Sequence, residues 1–105
     1  MSQFGVHRNP NPDTKAATPF LLDVQSNLIA DLGTRAVAPL CLASAMKGRL
    51  IKTLTPVFEI DGKQYAMLTP QLAGISKKHM GTKVADLSPR RDEIIAALDL
   101  LISGI

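Results

Sequence analysis

The chain has 105 residues, a hydrophobic fraction of 46% and a formal net charge of +3. That length supports one domain, residues 1–105, which buries about 60–70% of the surface its unfolded chain would expose. The mild charge gives no polyanion-binding footprint, no apolar run reaches membrane-spanning length, and the single cysteine, Cys41, excludes an intrachain disulfide.

The N-terminal residues contain no apolar core of a secretory signal, so a cytoplasmic protein is expected. Residues 3–8 alternate loosely, with Phe4 and Val6 on one side, and read as a first strand. Asn9-Pro10-Asn11-Pro12-Asp13 then breaks structure into a surface loop. Residues 20–25 form a second strand whose apolar run predicts burial on both faces at one end. Residues 26–33 connect onward, with Gly33 suited to a positive-φ turn and Leu28 and Ile29 outside any strand pattern. Residues 36–42 read as a third strand in which Pro39 cannot donate to a ladder and so belongs at an edge or a bulge. A helical turn around Ala45 and Met46 is the one feature of the long segment that follows.

The sharpest local signal is Asp61-Gly62 between Val57-Phe58-Glu59-Ile60 and Lys63-Gln64-Tyr65-Ala66-Met67-Leu68. Both central positions of the favoured two-residue hairpin turn need positive φ, which Asp-Gly supplies. Phe58 and Ile60 share one face, as do Tyr65 and Met67 on the partner strand. One more short strand fits within residues 72–80.

Residues 84–105 carry the predicted helix. It starts at Ser88 as the capping residue, with Pro89 at the first helical position and Asp92 and Glu93 near the positive end of the dipole. Arg90 and Arg91 partly oppose that charge pattern. Ile94, Leu98, Leu101 and Ile105 fall on one stripe, widened by Ile95 and Ile102. Ile94, Ile95 and Leu98 belong to the core, and Leu101 reads as packing. Ile102, Gly104 and Ile105 instead deliver apolar surface and the final carboxylate to one exposed place. Strands followed by a terminal helix make the class α+β.

Candidate chemistry is sparse. His7 and His79 have no neighbours at metal-ligand spacing, Cys41 in its apolar setting reads as a small core hydrophobe, and neither a phosphate-binding glycine loop nor a nucleophile–base pair is recognisable. No metal, cofactor or catalytic residue is assigned. The scattered basic groups, Lys47, Arg49 and Lys52, then Lys77, Lys78 and His79, then Arg90 and Arg91, lack interleaved aromatics and read as a solvated surface. Sequence-specific nucleic-acid binding is therefore not expected.

Three segments in order resemble the CcdB family of bacterial toxins: Asp23-Val24-Gln25-Ser26 after a hydrophobic strand; Arg35, Val37 and Pro39-Leu40; and Val84-Ala85-Asp86-Leu87-Ser88 leading into a helix that ends Gly104-Ile105. The hairpin ending Met67-Leu68-Thr69 fits in position too, and the match loosens in residues 8–18 and 43–53. The resemblance implies an SH3-like antiparallel β core with a long C-terminal α-helix, assembled as a two-fold homodimer. It further implies the toxin of a type II toxin–antitoxin module. Such a toxin is a gyrase poison rather than an enzyme: it grips the dimerisation region of the DNA gyrase A protein and traps the enzyme on cleaved DNA. A CcdA-like antitoxin neutralises it.

Carried over by position, the gyrase contacts are Leu28, Ile29, Asp99, Ile102, Ser103, Gly104 and Ile105. A two-fold dimer would duplicate each apolar tip into one self-related patch, suited to a two-fold target. Ser103 stands where well-known members carry a tryptophan, and Asp99 where an asparagine can occur. The alternatives are a MazF-like endoribonuclease toxin, for which Arg35 with Asp23, or His7 with Arg8, are the nominees, and a non-toxic dimeric binding module on the same scaffold. Asp23 and Arg35 also read as an ion pair that stabilises the strand pair or the dimer.

Overall fold

The computed structural model describes residues 3–29 and 32–104. Alternation and turn chemistry set most of the elements. The strands are β1 (Gly5–Arg8), β2 (Phe20–Asp23), β3 (Thr34–Leu42), β4 (Val57–Ile60), β5 (Lys63–Met67), β6 (Ala73–Ser76) and β7 (Lys83–Asp86), followed by the helix α1 (Arg91–Ser103). They pair antiparallel in the order β4-β5-β3-β2-β1-β7, with β6 also on β3, and the sheet curls into a half-barrel. The α+β, SH3-like expectation holds.

Asp61 and Gly62 take φ of 52° and 78°, the left-handed pair the β4–β5 turn requires. Phe58 then pairs with Tyr65, and Phe58, Ile60, Tyr65 and Met67 all enter the core. Phe4, Val6, Phe20, Leu22, Val24, Ala38 and Leu40 line the same interior, and α1 seals it with Ile94, backed by Ile95 and Leu98. Phe20 meets Tyr65 edge-on at 5.1 Å. All four residues of β2 are buried, so the two-faced burial expected at one end runs the length of the strand.

The structure corrects four local expectations. Pro39 lies in the middle of β3, paired with Leu21 on one side, rather than at an edge or a bulge. It is tolerated because its carbonyl accepts from the Leu68 N–H at 2.9 Å, and its nitrogen faces the same side, where β3 changes partner from β6 to β5. Gly33 is not in the positive-φ region; its carbonyl accepts from the Lys77 N–H at 3.1 Å, extending the β3–β6 pairing. Residues 83–86 pair with β1 as a strand, although they lie beside a strong helix signal.

The fourth correction concerns the helix start. Ser88 does not cap it: its backbone N–H (2.8 Å) and its hydroxyl both donate to Asp86 Oδ1. Asp86 therefore anchors a 3-10 turn, Ser88–Arg90, on which α1 begins. Arg90 locks that turn to the sheet. Its guanidinium lies 4.8 Å from the Phe58 ring centroid, donates to the Val57 carbonyl at 3.2 Å, and grips Glu93 with two nitrogens.

Candidate functional site

The connection after β2 presents the first two predicted contact residues. A single 3-10 turn, Asn27–Ile29, buries none of its side chains, and Leu28 is 95% and Ile29 50% exposed. With none of its residues buried, this turn relies on polar bonds. Ser26 Oγ accepts from the Leu28 N–H at 3.1 Å, and Asn27 Oδ1 accepts from the Gln3 N–H at 2.9 Å. Gln25, itself buried, accepts from the Ala36 N–H at 3.0 Å and donates from Nε2 to the Ile29 carbonyl at 2.9 Å.

Beneath Gln25 lies the Asp23–Arg35 pair, 2.8 Å apart with both side chains fully buried. Asp23 Oδ1 accepts from the Gln25 N–H at 3.0 Å, and Arg35 Nη2 donates to the Gln25 carbonyl at 3.3 Å. The expected ion pair is present and joins β2 to β3. Neither group can reach an RNA phosphate, which removes that pair as a ribonuclease centre. His7 is 5% exposed and its Nδ1 lies 3.0 Å from the Gly81 carbonyl. Gly81 itself must lack a side chain, since a Cβ there would sit 2.7 Å from the Arg8 carbonyl oxygen.

The helix end presents the other group. Ile94 and Ala97 are fully buried, and exposure rises toward the C-terminal turn: Leu101 is 37% and Ile102 77% exposed. Leu101 is thus only partly packed. Asp99, Ser103 and Gly104 are exposed. Gly104 closes α1 in the left-handed region (φ 73°), donating its N–H to the Leu100 carbonyl at 3.0 Å. Ser103 folds back to donate its hydroxyl to the Asp99 carbonyl at 2.6 Å, so it adds no reach where an aromatic side chain would. Ile105 lies outside the described residues.

Two groups that sequence reasoning missed do the holding: Gln25, and Gln3, whose side chain also donates to the Val24 carbonyl at 3.2 Å. A buried glutamine within the apolar run of residues 20–25 was the available signal. A groove of about 590 Å³ on the other face of the sheet, floored by Leu21, Val37 and Pro39 and rimmed by Lys78 and His79, was also unmarked. Among the described residues no helix is long and apolar enough to cross a membrane.

A curled antiparallel half-barrel sealed by one C-terminal helix defines an α+β protein of the SH3-like class. Within that class the assignment is specific. The family model described as CcdB protein matches residues 3–104, and the chain belongs to the CcdB family, whose members are toxins of toxin–antitoxin modules.

Proposed function

We propose that this toxin, a single domain spanning residues 1–105, acts as a homodimeric poison of DNA gyrase. It binds the dimerisation region of the gyrase A protein and traps the enzyme on cleaved DNA. Leu28, Ile29, Asp99, Ile102, Ser103, Gly104 and Ile105 make the contact, and a CcdA-like antitoxin relieves it in the bacterial cytoplasm. The observation that carries the reading is the outward presentation of large apolar side chains from short, hydrogen-bonded elements, with Leu28 95% and Ile102 77% exposed. Ordered apolar side chains held in water cost free energy until a partner covers them.

In this role the toxin performs no chemistry of its own. Strand cleavage and ATP use belong to gyrase, and the toxin supplies binding energy that favours the cleaved intermediate over resealing. Ser103 in place of an aromatic anchor removes about 2–4 kcal/mol from such a contact, so affinity rests on Leu28, Ile102 and Ile105. Titration of the protein with the host's gyrase A dimerisation fragment, paired with a DNA-cleavage assay on whole gyrase, tests the proposal. Saturable binding and gyrase-dependent double-strand breaks are expected; absence of binding refutes it.

A further inference from the structure

We infer that Gln25 is a positioning residue for gyrase recognition: its side-chain amide holds the Leu28–Ile29 turn in the geometry that meets the partner. This rests on the reading of Leu28 and Ile29 as contacts. The turn buries no side chain, so the hydrophobic effect does not fix it against the sheet. Gln25 is 7% exposed and uses both ends of its amide, accepting from Ala36 N–H on β3 and donating to the carbonyl that ends the turn. The Asp23–Arg35 pair holds the Gln25 main chain through its N–H and its carbonyl. A chain of hydrogen bonds thus runs from a fully buried ion pair to the main-chain carbonyl of Ile29, the neighbour of the 95% exposed Leu28. The bonds at the ion pair lie in a buried, low-dielectric setting where they are strong and directional, which makes the Gln25 main chain a rigid base for its side chain.

A glutamine is suited to this task because one planar group offers a donor and an acceptor in opposite directions. A glutamate there could still accept from Ala36 but could not donate to Ile29. A methionine of similar shape does neither. When the turn is released, only a fraction of molecules present Leu28 correctly, and apparent affinity falls by that fraction. Loss of one such bond corresponds to about a fivefold reduction.

The test compares wild type, Gln25→Met, Leu28→Ala and the double variant, each as the full-length protein. Affinity for the gyrase A dimerisation fragment is measured by calorimetry, and amide hydrogen exchange by NMR. Expected results are faster exchange at Ile29 and Leu32, whose N–H groups bond within the turn and to its last carbonyl, while Val24 stays protected. Affinity falls about fivefold in Gln25→Met, and that loss is smaller when Leu28 is already alanine, since only Ile29 is then left to position. An equal loss in both backgrounds overturns the inference, because Gln25 would then act by another route. Unchanged turn exchange in Gln25→Met, with Leu28→Ala weakened, overturns the positioning role alone. Full binding by Leu28→Ala overturns the contact reading itself and the positioning role with it. Where Gln25→Met fails to fold, the wild-type Gln25 side-chain amide decides: slowed hydrogen exchange supports the bond to Ile29, and exchange at the rate of a free amide overturns it.

Discussion

Replacing Ile102 by alanine separates a binding surface from a packing surface. Ile102 is 77% exposed, so covering it by a partner is worth roughly three quarters of the 1.5–3 kcal/mol gained on full burial of such a side chain. Alanine removes most of that, about 1–2 kcal/mol, or roughly a five- to thirtyfold loss of affinity. The same change takes little from the folded chain, because alanine's helix propensity is good and few contacts are lost. Calorimetric titration with the gyrase A dimerisation fragment gives the affinity, and thermal unfolding gives the control. Ile94→Ala is the contrast: fully buried, it should cost about 2–5 kcal/mol and lower the unfolding midpoint by more than about 10 °C. Unchanged affinity in Ile102→Ala refutes its role in contact. A melting loss as large as that of Ile94→Ala refutes the claim that the residue faces outward.

Gly104→Ala meets open space but must take φ near 73°, so it should cost about 1 kcal/mol of stability, whereas Gly104→Glu at the same position should abolish growth arrest in a gyrase-sensitive host; persistence of arrest would show that the tip is not the site. Asp23→Ala leaves a fully buried guanidinium whose Nη1 already lacks a hydrogen-bond partner among the described residues, and should cost about 3–5 kcal/mol in urea unfolding; a change under about 1 kcal/mol would contradict the burial of the pair. Hydrogen bonds from Ser88 hold the Asp86 carboxyl below its ordinary range, and Arg90 does the same for Glu93. Because the folded forms bind protons more weakly than the unfolded chain, their contribution is complete above the ordinary carboxylate range and fades as pH falls below about 4. Both carboxylates are about half exposed, so the effect is small. Asp86→Asn keeps an acceptor for Ser88 and should flatten the acid limb of a urea-midpoint series; an unchanged limb would contradict this assignment.

What the amino-acid order determined by itself was local. Asp61-Gly62 encodes its own turn, the spacing of Ile94, Ile95 and Leu98 encodes the buried face of α1, and the apolar run within residues 20–25 encodes a strand buried on both faces at one end. Each signal is complete within a few residues, because φ preference and side-chain period depend on near neighbours. The Asp23–Arg35 pair was legible too, as opposite charges in apolar strands that must find each other. Other features depended on partners far along the chain. Residues 83–86 are a strand because β1, at the opposite end of the sequence, offers an open edge, and that pairing makes Asp86, not Ser88, the anchor of the helix start. Pro39 is central because a change of strand partner leaves no acceptor needing its missing N–H. Leu28 and Ile29 stand outward because Gln25 holds the Ile29 carbonyl and Gln3 holds the Asn27 side chain, and hydrogen bonds between distant residues leave no period in the sequence from which they could be read.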